Sequence, residues 1–553
     1  MAAKSDKARA PKPKEIRQRY EAADKKYRDW ESLYDMCFQY AAPQRNLFGG
    51  RIETDSPGGT KMGNVFDSTA IASLDRFANR VQANVFPPQR QWAKLKSGTK
   101  VSDDRKFAIN GALDTVADTM FAVMRSSNFD IAIGEFLHDI GIGTAHLCIQ
   151  PGSYADPVTY TAVSPAAVRF EEDENGRPCN HYRKIKMRGE LIEKAWRGAK
   201  LTEQLRREIA DKPQDEVELL ESTIRDLETD RYHYQIITFK SDNADDGAVI
   251  FHRSQKYSNW VTSRYSKLSG ELMGRGPVMC ALPDIRTLNK VKELLLRKAA
   301  FNIVGAYTAV DDGVLNPNNI DIAPNSIIAV AANAGARGPS LAPLPQTGDL
   351  NLAQFVINDL VASIKKILLD ESLPPDNMSA RSATEIVERM KELAQNMGSA
   401  FGRLIDEVLI PVVEITLHVL NDAGILVFPL KVDGRDVAAV PVAPLAMAQN
   451  MDEVQAIVQF GQLAAQLGPE GQAALNKGRT IDYVGDRMGV PAQVRNTPDE
   501  REAEVAKLQS QAAAMMAAQG GAGAAPPEAP PEAEDVPLPP GAVSAPPQLQ
   551  AVA

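Results

Sequence analysis

Gly58-Gly59-Thr60-Lys61 is the stretch that comes nearest to a phosphate-binding loop. Such a loop needs Gly-x-x-x-x-Gly-Lys-Ser/Thr between a strand and a helix, so that backbone amides and the lysine can cradle phosphates. Here Met62 follows Lys61 and no strand is predicted before it, so no nucleotide site is expected. The acidic run from Glu171 to Gly176 could suggest calcium, but a calcium loop spaces its ligands at alternate positions and ends on a distal Glu. Asn175-Gly176 between two predicted strands reads instead as a hairpin turn. The histidines His138, His146, His181, His233, His252 and His418 show neither HExxH nor any metal-ligand spacing. Ser68 and Ser164 sit in no Gly-x-Ser-x-Gly elbow. The carboxylates mostly follow helical charge faces. The expectation is a protein that is not an enzyme and holds neither cofactor nor metal.

The chemistry that remains is cationic. A helix predicted from near Pro283 sets Ile285, Leu288, Val291, Leu295 and Ala299 on one face, and Arg286, Lys290, Glu293 and Arg297 near the other. A second helix, 352–369, carries Val356, Ile357, Leu360, Val361, Ile364 and Leu368 on its apolar side and Lys365-Lys366 near its end. Between the two lies an insert with predicted strands at 306–310 and 326–330. Pro374 and Pro375 stop the second helix. A stripe from Ile386 to Leu417 then predicts one long helix over 384–422, with Pro411 kinking or interrupting it. A helix of that length suits a scaffold element of a large assembly.

The rest of the chain frames this stretch. At 553 residues it can bury a large core in more than one domain. With 44% hydrophobic and 24% charged residues it has an ordinary soluble composition, no apolar run of membrane-span length, and no signal-peptide pattern at its start. Cys37, Cys148, Cys179 and Cys280 form no CxxC pair and read as free thiols in a reducing compartment. The net charge of −9 argues against gripping DNA by broad phosphate neutralisation, though not against DNA passing through. Residues 1–14 read as a disordered basic arm, with contact to a partner or to DNA as the alternative. Helices are expected over 15–40, 69–85 (with Asp67 and Ser68 as N-cap), 103–126 and 128–141. A β-rich region follows over 140–275, interrupted by a charged, exposed helical excursion at 197–229. Strands at 427–432 and 437–442 and helices at 444–468, 470–489 and 498–518 precede a Pro/Ala-rich tail, 520–553, that is disordered by composition.

Several motifs, in this order and spacing, carry a resemblance. They are Asp67-Ser68-Thr69-Ala70, Phe86-Pro87-Pro88 with Trp92, and Gly141-Ile142-Gly143-Thr144. Gly274-Arg275-Gly276-Pro277 and Pro283-Asp284 through Asn289 follow, then Ala383-Thr384-Glu385 through Arg389 and Leu409-Ile410-Pro411. Over residues 15–430 the chain resembles the podovirus-type bacteriophage portal, or head-to-tail connector, family. The resemblance implies an α+β portal fold. Residues 15–282 would form the wing, 283–303 and 352–369 the two stem helices, and 304–351 the clip. Residues 370–383, with Pro374, Pro375, Asn377 and Met378, would form a tunnel loop. Residues 384–443 would hold the channel-to-wing helix and a wing strand, and 444–519 the crown.

It also implies a twelve-fold homo-oligomeric ring at one capsid vertex of a short-tailed phage virion, assembled in the host cytoplasm. Double-stranded DNA would pass through the channel during packaging and ejection. The partners implied are the major capsid protein, the terminase large subunit that supplies ATP hydrolysis, tail adaptor or tail tube proteins and internal core proteins, with no membrane. On that basis Lys290, Arg297, Lys365, Lys366 and Arg381 are expected to line the channel in sparse rings, so that DNA slides without being held. The same residues also fit solvated helix charges or intersubunit ion pairs. A capsid-vertex or tail adaptor without a channel is the alternative from another class, and a DNA-processing enzyme subunit is a third that would need a nucleotide or metal motif.

Overall fold

The computed structural model describes residues 10–45, 62–88, 90–96, 103–239, 247–304, 307–309, 341–343, 350–370, 398–426, 431–432, 435–436, 438–442, 444–468, 475–488, 490 and 494–520. Helices and antiparallel sheets alternate along it in an α+β arrangement. Helix α1 (Pro13–Ala41) has proline in its first turn, where the missing N–H has no intrahelical partner to lose. Its aromatic stripe is buried at Tyr27, Tyr34 and Phe38. Ile16 and Ala23 pack with Tyr182, Leu220, Ile224 and Ile237, while the second half joins the main core. At 1.5 Å per residue, its 29 residues are long enough to tie one sheet to that core.

Next come α2 (Thr69–Val85), β1 (Ala93–Lys96), α3 (Asp103–Ser126) and α4 (Phe129–Ile142). Phe86 and Trp92 flank the double proline and meet edge to face, with ring centroids 5.1 Å apart. Trp92 meets Phe121 in the same way at 5.1 Å, a favourable geometry for aromatic quadrupoles.

Two antiparallel sheets follow. Strands β2 (Thr144–Pro151), β3 (Val158–Val163) and β9 (Trp260–Arg264) pair in the order β3-β2-β9. Strands β4 (Val168–Glu172), β5 (Pro178–Arg188), β6 (Glu216–Asp226), β7 (Arg231–Thr238) and β8 (Ala248–Gln255) form a meander in chain order. The β4–β5 turn is the expected hairpin. Gly176 sits at φ +73°, where glycine is favoured, and Asp173 Oδ1 accepts from the amides of Asn175 and Arg177 at 2.9 and 2.8 Å.

The charged stretch 197–229 departs from expectation. Its main helix is short, α5 (Glu203–Asp211), and residues 216–226 are the central strand β6. The sequence there alternates with period two. Val217 and Leu219 face one apolar cluster and Leu220 and Ile224 the other. The acids are cross-strand partners: Glu218 pairs with Lys184 at 3.2 Å, and buried Glu221 accepts from Tyr234 Oη at 2.9 Å.

Thr262 Oγ1 joins the two sheets by bonding His146 Nδ1 at 2.7 Å and His181 Nε2 at 2.8 Å. One hydroxyl can donate to one imidazole and accept an N–H from the other, so at least the accepting ring is neutral. Burial lowers the pKa of both; His181 falls to about 3, and His146 is held down further by His181 and Arg169. The unfolded chain takes up these protons below about pH 6.5 while the folded chain does not, so stability falls as pH drops. For His181 that loss runs from about pH 6.5 down to about 3. The expected slope is about 1.4 kcal/mol per pH unit for each histidine inside its window. Urea unfolding between pH 4.5 and 7.5 should show it, and His181→Gln should flatten it; equal slopes in both proteins would exclude the assignment.

The helix pair is α6 (Pro277–Val304) and α7 (Leu350–Ile367). Ser363 Oγ donates to Asp284 Oδ2 at 2.7 Å, which joins the start of one helix to the end of the other and makes the pair antiparallel. The first helix begins at Pro277, six residues before the expected start. Pro277 takes the N-terminal position and Pro283 lies inside, where it removes the bond that the Met279 carbonyl would accept. The insert closes through β10 (Tyr307–Ala309) and β11 (Leu341–Pro343), paired antiparallel. The strand expected at 326–330 lies outside the described residues, as does most of the insert.

The single helix expected over 384–422 is not continuous. Gly398, at φ +48°, precedes α8 (Ser399–Leu404), and residues 384–397 lie outside the described residues. A π-turn over Ile405–Leu409 leads into α9 (Ile410–Asp422), where Pro411 occupies the first turn. Pro411 lacks an N–H and would clash with a carbonyl in α register, and the wide turn accommodates both effects. Strands β12 (Lys431–Val432) and β13 (Arg435–Asp436) form a small hairpin, and β14 (Ala438–Pro441) pairs with β1. Helices α10 (Pro444–Gln466) and α11 (Lys477–Arg487) complete a unit that runs to Arg495.

Residues 496–553 form a second unit holding α12 (Pro498–Gly520). A reciprocal capping box opens this helix: the Glu500 amide donates to Thr497 Oγ1, and the Thr497 amide to Glu500 Oε2. Among the described residues no helix is long and apolar enough to cross a membrane.

Candidate functional site

The α6–α7 pair carries the basic residues singled out from sequence, and three junctions fix it to the rest of the fold. The first is a glycine contact. Gly143 and Gly274 face each other, as do Gly141 and Gly276, backbone against backbone. A Cβ on Gly143, Gly274 or Gly276 would fall closer than 3.0 Å to a carbonyl oxygen of the facing pair. Tyr34 Oη donates to the Gly274 carbonyl at 2.6 Å, and the Gly274 amide donates to Thr144 Oγ1 at 2.7 Å. Thr144 therefore gives its own proton to Tyr34 Oη, 2.9 Å away, and the three groups close a ring. Burial pushes the Tyr34 phenol well up, which keeps it a donor. The Gly276 amide adds a bond to the Ile142 carbonyl at 2.9 Å.

The second junction joins α6 to the start of α2. Asn289 Oδ1 accepts from the amides of Phe66 and Asp67 at 2.7 and 3.2 Å, and Asn289 Nδ2 donates to the Asn64 carbonyl at 2.9 Å. Asp67 accepts from the Thr69 amide at 2.7 Å and pairs with Lys292. These contacts hold its carboxyl below the usual range against the opposing effect of burial. Asp67, not Ser68, supplies the capping side chain.

The third junction is where α7 ends. The Asp370 amide reaches the Lys365 carbonyl at 2.8 Å and the Leu369 amide the Lys366 carbonyl at 3.2 Å, a Schellman end with leucine at φ +56°. That conformation costs roughly 1–2 kcal/mol for a residue with a Cβ. Packing of Leu369 on the core offsets it, together with a 2.7 Å bond from Arg80 Nη1 to its carbonyl. Asp370, 6% exposed, accepts from Ser73 Oγ at 2.7 Å and from Arg76 Nη1 at 3.0 and 3.2 Å.

The expected site residues separate into groups. Lys290 and Arg297 are exposed on α6, yet both pair with Glu293, at 2.9 and 2.6 Å. Hydrogen bonding to Lys290, and then the charges of both cations, hold the Glu293 carboxyl below its ordinary range. Lys365 and Lys366 occupy the last turn of α7. Arg381 and the tunnel-loop residues Pro374, Pro375, Asn377 and Met378 lie outside the described residues. Sequence reasoning missed Arg76, Arg80 and Asp370. Their only signal was an Arg-x-x-x-Arg spacing on one face of α2, which does not name its partner. It also missed Arg264, 1% exposed, which bonds Glu407 Oε1 at 2.7 Å and also pairs with Glu172.

Comparison with known proteins agrees with the motif order. Residues 13–495 match the family described as bacteriophage head to tail connecting protein. The chain is 23% identical over 485 residues to a probable portal protein of Bordetella phage BPP-1, covering 84% of this chain and 85% of that one. Two solved assemblies align at low similarity. The virion of a native gene transfer agent particle aligns at TM-score 0.35 and 11% identity, over 77% of this chain and 92% of that one. The neck of an empty particle of that kind, computed with C6 symmetry, aligns at TM-score 0.34 and 12% identity, over 76% and 91%. Neither structural likeness is close enough to carry an argument. The extent of the family match carries the assignment: the chain belongs to the bacteriophage head-to-tail connecting, or portal, proteins.

Proposed function

We propose that this chain is the subunit of a twelve-fold portal ring at one capsid vertex of a short-tailed phage virion, built in the host cytoplasm. Its α6–α7 stems surround a channel through which double-stranded DNA enters during packaging and leaves during ejection. The 304–351 insert is the surface on which the terminase motor, and later the tail proteins, dock. The wing faces the major capsid protein, and the crown faces the interior and any core proteins. ATP hydrolysis belongs to the motor and not to this chain.

The observation that carries the ring is the outer surface of the helix pair. Leu294 and Leu296 are each 53% exposed and Phe355 is 71% exposed in the isolated subunit, on helices whose other faces are buried. Leu294 and Leu296 flank the core-facing Leu295 on two sides of α6, and exposed large apolar side chains of this kind mark surfaces that other molecules cover. Head-to-tail contact between neighbouring copies covers these surfaces in each of them and closes a ring when the rotation allows. Electron microscopy of the purified protein tests this. Closed twelve-fold class averages with a central hole are expected; compact closed particles without a hole would favour a vertex or tail adaptor.

A further inference from the structure

Four cations are carried by the segments that join where α2 meets the end of α7. Arg76 and Arg80 bond the Asp370 carboxylate and the Leu369 carbonyl, and Lys365 and Lys366 occupy the turn just before. Among the described residues, Asp370 is the one carboxylate set among them. It is buried and already takes a hydrogen bond from Ser73, so its capacity is spent inside the fold. Four cations against Asp370 and its chain neighbour Glu371 leave a formal +2 in a chain whose net charge is −9. The C-terminal helix dipole offsets only roughly half a charge of that. Arg76 keeps 59% of its side chain exposed despite its ion pair. Among the described residues Lys365 and Lys366 have no ion-pair partner. The basic face of α6 is different: Glu293 neutralises one of the Lys290 and Arg297 charges, and Lys292 is matched by Asp67.

We propose that this corner, and not the Lys290–Arg297 face, is where each subunit meets the sugar-phosphate backbone of duplex DNA. The inference rests on the channel reading. Phosphate contact gains free energy by releasing the cations condensed on DNA, and a protein cation already matched by a carboxylate adds little net charge to displace them. The unmatched corner therefore dominates the interaction. Because it is confined to one level of the subunit, a ring of copies presents it as a narrow band of positive charge. A narrow band on a chain of net charge −9 favours sliding over retention.

The experiment uses the full-length assembled protein and a short fluorescent duplex DNA, with affinity read by anisotropy across a salt series. Microscopy of the same samples scores ring closure. Lys365→Ser with Lys366→Ser leaves the Arg76–Asp370 pair intact and is expected to lower the slope of log affinity against log salt by roughly 0.9 for each phosphate no longer engaged. Lys290→Ser with Arg297→Ser is expected to leave the slope unchanged. Closed rings whose slope is the same in the Lys365/Lys366 variant, or falls only in the Lys290/Arg297 variant, overturn the corner and leave the channel reading standing. Wild-type protein that forms no closed ring overturns the channel reading, and the corner with it.

Discussion

Replacing Gly143 or Gly276 by alanine is expected to destabilise the protein by about 3 kcal/mol, the upper end of the range for overpacking a core. The reason is what the new methyl group meets. At both positions it lands closer than 3.0 Å to backbone oxygen, which cannot rotate away, and at Gly143 it also meets Tyr34 Oη. To make room, the end of α4 must separate from the start of α6. That movement strains the Tyr34–Thr144–Gly274 ring and the Gly276-to-Ile142 bond as well. Gly111 supplies the control. It lies inside α3 with open space around its Cβ position, so Gly111→Ala should stabilise by about 0.5–1 kcal/mol. Urea midpoints of the three variants decide the matter. Gly143→Ala and Gly276→Ala within about 1 kcal/mol of the parent would mean the two segments can part, a cost below the usual overpacking range.

The same contact explains how much could be read in advance. The motifs Gly141-Ile142-Gly143-Thr144 and Gly274-Arg275-Gly276-Pro277 stood out, but nothing local says that glycines about 130 residues apart press on each other. The helix pair was legible because amphipathic periodicity is a local property. Its start was placed late because Pro283 resembles a first-turn proline, although Pro277 holds that position. Strand β6 was misread because its acids suggested a solvated helix face, whereas a central strand can hold them as cross-strand partners. The pairing of Glu293 with Lys290 and Arg297 lay in plain view at three- and four-residue spacing. The expectation weighted the cations on that face and passed over the acid between them. The Arg76–Asp370 pair spans 294 residues, and no periodicity encodes it.

Arg264→Met is expected to cost about 3–5 kcal/mol, the range for removing one partner of a buried ion pair. Arg264 is 1% exposed at the end of β9. Its Nη2 donates to Glu407 Oε1 at 2.7 Å and to the Gly176 carbonyl at 2.9 Å, its amide donates to Glu407 Oε2 at 2.9 Å, and Nη1 pairs with Glu172. Glu407 lies in the π-turn between α8 and α9, so one guanidinium joins the three-stranded sheet, the β4–β5 hairpin and the interrupted helix. After the substitution Glu172 keeps Lys267, but among the described residues Glu407 keeps only Arg403, four residues earlier at 3.4 Å, and the backbone amide of position 264. The cost then lies in the stranded Glu407 carboxylate rather than in the missing attraction. Changing both partners, Arg264→Met with Glu407→Leu, should therefore recover most of the stability, because an apolar pair of similar volume removes the desolvation penalty along with the Coulomb term. Urea midpoints for both single variants and the double variant form a cycle whose coupling energy should exceed about 1 kcal/mol for residues in direct contact. Strict additivity would mean that Arg264 stabilises this junction by packing alone, and that the π-turn is held by Pro411 without help from Glu407.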